Sequence, residues 1–193
     1  MNPPRGDHPL LEVRDRAELR AWLEANHATA DPVRLAIGNK GNTVTSLTYD
    51  EAVEEALAFG WIDSTAHALD VDRHTVMFSR RRPRSTWSRS NKERVERLAA
   101  QGLMAPAGLA AVEIARANGA WNSLDDVEGL VVPGDLAAAL AVEPAAARNW
   151  DASSASQRKI SLYWIAGAKR PETRAKRVAE VTRAAVEGRT LWR

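Results

Sequence analysis

The chain has 193 residues, 45% of them hydrophobic, a formal net charge of +2 and no cysteine. That length holds one domain or two small ones, and the apolar share is enough for a packed core, so disorder is excluded as the default. The missing thiols exclude disulfides, thiolate metal sites and cysteine nucleophiles, and no segment approaches the roughly 18 apolar residues of a membrane span.

Residues 1–12 read as an N-terminal tail without the apolar run of a signal peptide, so a cytoplasmic location is the expectation. Asp15 with Glu18 has the spacing of a capping box, and Leu19, Trp22 and Leu23 follow at helical spacing. Asp31-Pro32 breaks that helix. Val33, Leu35 and Ile37 alternate with Arg34, Ala36 and Gly38, the pattern of a half-buried strand. "IGNKGN" is turn chemistry and reads as a hairpin turn, with Thr43–Ser46 extended after it. Its G-x-x-G lacks the flanking helices of a KH motif and the spacing of a phosphate-binding P-loop.

"LTYDEAVEEALAFGW" is the clearest helix. Thr48 and Glu51 form its capping box, Tyr49, Ala52, Val53, Ala56 and Leu57 make its apolar face, and Gly60 stops it. Glu54 and Glu55 fall off that face and read as solvated. "WIDSTAHAL" and "HTVMFSRR" predict two strands joined by a turn at Asp70–Asp72. After Pro83 the pattern turns helical. Ser90 and Glu93 predict a cap for a helix ending near Gly102, and Pro106 suits the first turn of another that Gly119 ends. "WNSLDDVEGLVVPGD" reads as a loop. Helices follow over Leu136–Val142, over Ala145–Trp150 and after Ser154. The last starts at Pro171, with Ala175, Val178, Ala179 and Thr182 as its inner stripe.

The fold class predicted is α+β: a small N-terminal α/β unit with a short mixed sheet, then an all-helical C-terminal unit. The boundaries are a small α+β unit at 13–85, a helical linker region at 86–131 and a C-terminal helical domain at 132–190.

"YDEAVEEALAFGWIDS", "FSRRRPRSTWSRSNKERVERL", "GLMAPAGLAAVEIARANGAW" and "SQRKISLYWIAGAKRPETRAKRVAE" resemble the bacterial YdeI/OmpD-associated family over roughly Leu11 to Gly188. The part from about Val132 resembles that family's C-terminal OmdA-type domain. The resemblance implies a link to bacteriocin protection and to resistance against cationic antimicrobial peptides. It carries over no catalytic residue. The chain departs from the pattern at Ala58, where relatives have cysteine, at His67 and His74, and at Ser79-Arg80-Arg81.

Charge is unevenly spread. Ser79–Arg97 holds eight basic and two acidic residues, and Lys169–Arg183 holds six and two. Arginine offers a planar fork of donors suited to phosphate or carboxylate, and a helix start adds free backbone N–H groups. The candidate anion site is therefore Arg81, Arg82, Arg84, Trp87, Ser88, Asn91 and Lys92, with Lys169 and Arg170 from the second basic stretch. Trp61, Asp63 and His67 are possible support, and the expected setting is a cleft between the two units. Trp87 is read either as a stacking surface for a base or as core, and Asp63 as a buried partner for an arginine. Asp63, His67, Asp70, Asp72 and His74 are divided by strand parity, so no metal site and no cofactor are expected. The function predicted is a non-enzymatic protein with a phosphate- or carboxylate-bearing ligand. The alternatives are nucleic-acid binding through the Arg80–Lys92 face and a small enzyme acting on a phosphorylated or acidic metabolite.

Overall fold

A computed structural model describes residues 8–189 of the chain. In it, Asp15 accepts a hydrogen bond from the Glu18 backbone N–H at 2.9 Å and opens helix α1 (Arg16–Asn26). The Asp31-Pro32 break leads into strand β2 (Val33–Gly38). Thr48 and Glu51 cap each other's backbone at the start of α2 (Tyr49–Ala58), so both predicted helix starts are realised. Gly60, at φ +75°, turns the chain into β3 (Trp61–Ala68), and β4 (Arg73–Arg80) returns beside it. A positive φ of this size is open to glycine at little cost.

The four-stranded sheet has the order β1-β2-β4-β3. β1 is Leu10–Leu11, which pairs in parallel with Arg34 and Leu35 of β2; the remaining pairings are antiparallel. This strand lies inside the stretch expected to be a tail, and residues 1–7 of that stretch lie outside the described residues. Two residues are too few for any periodicity to show. "IGNKGN" does not make a hairpin either. β2 takes β4 as its antiparallel neighbour, and residues 39–47 cross to α2 instead.

Residues 33, 35 and 37 of β2 and residues 76 and 78 of β4 join Leu19 and Leu23 of α1 and the apolar face of α2 in one buried cluster. Two more helices belong to this unit: α3 (Arg89–Ala100) and α4 (Pro106–Ala117). They add Val95, Val112 and Ala115 to the same core. The first compact unit runs as far as Asn122, so α3 and α4 count with the sheet rather than as a linker. Gly108 is what lets α4 approach α2. A Cβ there would sit 2.2 Å from the Ala58 carbonyl oxygen, inside any allowed contact.

Glu54 and Glu55 correct the reading of a solvated face. Glu55 is 2% exposed and accepts from Arg16 Nε at 2.7 Å and from Arg20 at 2.9 Å, both on α1. Glu54 pairs with Arg16 and with Arg97 of α3. The off-face carboxylates of α2 thus tie three helices together, because a buried carboxylate persists only where cations and donors meet it.

The second unit starts at Ser123, and helices are the regular elements among its described residues. It contains α5 (Asp125–Glu128), α6 (Gly134–Val142), α7 (Pro144–Ala152), α8 (Ala155–Ala166) and α9 (Pro171–Val186). The one-turn α5 interrupts what was expected to be a loop. Leu136, Leu140, Ala146, Trp150, Leu162, Ile165, Val178, Val181 and Ala185 build its core. The buried stripe of α9 is Val178, Val181, Ala184 and Ala185. Ala175 and Ala179 are exposed, because alanine's small apolar surface marks an inner face poorly.

Candidate functional site

β4 ends at Arg80, and one further bond, Arg81 N–H to the Gly60 carbonyl at 2.9 Å, carries the pairing past it. The chain then turns at Arg82–Ser85 and reaches α3, whose N-cap is Ser88. Ser88 Oγ accepts from the Asn91 backbone N–H at 3.3 Å and lies 3.1 Å from Ser90 Oγ. The cap thus falls two residues before the predicted Ser90, and the N3 position belongs to Asn91 rather than Glu93. Ser-x-x-Glu resembled a capping box, but the local extended residue is Ser88, at ψ 157°.

Three consecutive arginines lie on a pocket of about 290 Å³. Its walls come from the end of α1 (His27, Ala28), from Phe59 and Gly60, from Trp87 and from the exposed side of α4 (Ala107, Ala110, Ala111, Ile114). No Asp or Glu is among its lining residues. Arg80 donates to the Ala28 carbonyl at 2.6 Å. Arg82 is exposed at the rim.

Arg81 is the unusual member. Its guanidinium lies 3.6 Å from the centre of the Trp87 ring, a close cation–π contact. One terminal nitrogen donates to the Thr86 carbonyl at 3.1 Å. Its Nε and other terminal nitrogen are closed to water and have no hydrogen-bond partner among the described residues. Burial pulls the Arg81 pKa well below the ordinary arginine range, down to about 10, against an opposing pull from the field of Asp63. Asp63 is not its ion-pair partner, as had been expected of an arginine. The carboxylate instead accepts from Tyr49 Oη at 2.6 Å. Burial first, and then that bond, push the Tyr49 hydroxyl up to about 12.

The unit supplies no partner for one edge of Arg81, and the second unit shows what such an edge holds when filled. There Arg174 donates from Nε to one oxygen of Asp135 at 2.6 Å and from the corresponding terminal nitrogen to the other at 3.0 Å. That side-on fork is the arrangement in which a planar carboxylate meets a guanidinium. The edge of Arg81 left without partners is the same Nε–Nη2 edge.

The other predicted residues fall in different places. Trp87 is 1% exposed, with Arg81 over its ring and Trp121 at 5.0 Å, tilted by 47°. It is core and pocket wall, with no face open to a base. Arg84 is exposed in the turn and pairs with no carboxylate among the described residues. Lys92 sits 5.5 Å over the Trp121 ring. Trp61 is fully buried and donates to the His27 carbonyl at 3.0 Å. His67 is exposed on β3, in register with Thr75. Lys169 and Arg170 are exposed just before α9 in the second unit, and Arg170 makes no capping bond. Among the described residues no three His, Asp or Glu side chains converge on a metal-sized site; Asp70 bonds Arg73, and His74 bonds Asn39. Sequence reading missed the contribution of α4. Its exposed Ala110 and Ile114, a turn apart, were the available signal.

Comparison with known families divides the chain in two. Residues 11–111 match a domain of unknown function, DUF8412. Residues 129–188 match the family described as bacteriocin-protection, YdeI or OmpD-associated. The resemblance noted over nearly the whole sequence is thus limited to that C-terminal stretch. Among curated proteins and solved structures nothing matches the chain. No described helix is long and apolar enough to cross a membrane.

Proposed function

The chain belongs to the DUF8412 family, a premise that brings no activity with it, and from its own side chains we propose that it is a non-enzymatic, anion-binding protein. The observation that carries this reading is the Nε–Nη2 edge of Arg81, buried without a partner beside a pocket with no carboxylate of its own. An unsatisfied buried donor is unfavourable, and a charged one more so. A carboxylate or phosphate oxygen at this edge relieves both penalties. The likeness of residues 129–188 to bacteriocin-protection proteins supports a role in peptide resistance. Such a role is indirect, because a basic pocket repels cationic peptides.

The test is titration of the intact chain with inorganic phosphate, sulfate and acetate, followed by calorimetry and through the Arg81 side-chain Nε–H resonance. At least one anion should bind saturably and shift that signal. Arg81→Met should abolish the binding, while Arg84→Ala should leave it unchanged. Absence of any saturable shift would sink the reading.

The exposed Arg82 and Arg84 favour a second reading, nucleic-acid binding along the turn. In that case affinity for single-stranded DNA falls linearly with log salt, and replacing both arginines with alanine flattens the slope. No binding at low salt removes it.

A further inference from the structure

We infer that the ligand of the Arg81 pocket is an organic monocarboxylate with a short apolar or aromatic body, rather than a phosphate, a nucleotide or a peptide. This rests on the anion-binding reading and adds to it the shape and charge of the molecule bound.

Charge comes first. Of the three arginines on the pocket, Arg80 is committed to the Ala28 carbonyl and Arg82 is exposed at the rim. All three remain cationic, and Arg81 is the one that brings a buried donor edge without a partner among the described residues. A monocarboxylate satisfies that edge with its two oxygens and leaves its body to cover the walls, whereas inorganic phosphate has no apolar body to cover them. Geometry points the same way. The planar edge of Arg81 has the side-on form that Arg174 presents to the Asp135 carboxylate. Lysine, a point charge, cannot reproduce it.

The body of the ligand follows from the walls. Phe59, Ala107, Ala110, Ala111 and Ile114 face the same space, and Ile114 is 47% exposed. Apolar atoms of a ligand gain by covering these side chains. A volume of about 290 Å³ lies at the lower end of small-molecule sites, which start at roughly 300 Å³. That is room for an aromatic acid or a short acyl chain, and a nucleotide would leave most of its body outside these walls. Both free nitrogens of Arg81 are closed to water, so the carboxylate reaches them only as the side chains packed on that edge move.

The experiment uses the full chain and four probes: benzoate, hexanoate, acetate and inorganic phosphate, measured by calorimetry and by the Arg81 Nε–H resonance. Benzoate or hexanoate should bind at least about tenfold more tightly than acetate or phosphate, about 1.4 kcal/mol. Two variants keep the result interpretable. Arg81→Lys retains the charge and should weaken benzoate binding about tenfold or more. Ala110→Phe, at an exposed helical position, fills the pocket from the α4 side and should exclude benzoate while acetate still shifts the Arg81 signal. Phosphate binding as tight as benzoate, or benzoate binding indifferent to Ala110→Phe, would overturn the inference and leave the anion site standing. Silence of the Arg81 signal toward all four probes at millimolar concentration would remove the anion reading as well.

Discussion

Arg81 holds a charge in a place that disfavours it, and that has a thermodynamic signature. Its folded-state pKa of about 10 lies below the ordinary arginine range. The charged form is therefore the penalised one, and the penalty persists at neutral pH, lifting only as pH rises through about 10. Arg81→Met removes the buried charge and keeps an unbranched side chain over Trp87. Urea unfolding at pH 7 should show stability unchanged or higher by about 1 kcal/mol, even as anion binding disappears. Tyr49 has the opposite sign. Its folded-state pKa is raised to about 12, so it stabilises the fold below pH 10 and loses that contribution as pH rises toward 12. Of the two tyrosines in the chain, one should ionise with a midpoint near 12 in a tyrosinate-absorbance titration, and Tyr49→Phe should remove that component. The run of arginines was plain in the sequence, but which of them lacks a partner was not. Arg80 finds the Ala28 carbonyl across 52 residues of chain, and Asp63 takes Tyr49 rather than a cation.

At the level of elements, local chemistry was legible and distant pairing was not. Asp15, Thr48 and Ser154 cap helices as their spacing predicts, since a cap depends on four adjacent residues. The start of α3 shifted because Ser88 and Ser90 are both N-cap residue types and the backbone decides between them, although only Ser90 has a Glu three residues on. The burial of Glu55 was invisible to periodicity, for the cations that make it tolerable come from α1. Glu55→Gln leaves Arg16 and Arg20 without their shared carboxylate. With both arginines about one-third exposed, the loss should be about 2 kcal/mol in urea unfolding, with the sheet's amide signals retained. Little or no loss would mean that water replaces the carboxylate at no penalty.

For the molecule as a whole, the fold class could be read from the change of period after Pro83. The first unit, however, continues to Asn122 rather than ending near residue 85. Apolar spacing says that α3 and α4 bury a face, not what the face meets. The two cores share no residue, which bears on how the chain unfolds. Leu136 is fully buried in the second, and Leu136→Ala should cost about 3 kcal/mol there. Hydrogen exchange on the intact variant should show faster exchange in α6 to α9 and unchanged protection in β2 and β4. Equal acceleration in both would mean that the units unfold as one.

The guanidinium 3.6 Å from the Trp87 ring also makes this indole an optical gauge. A cation fixed above one face biases the excited state of the ring. An anion arriving at the free edge of Arg81 neutralises that bias without touching the tryptophan. The colour of Trp87 emission should therefore change on ligand binding, and in Trp87→Phe the chain's remaining fluorescence should not report it.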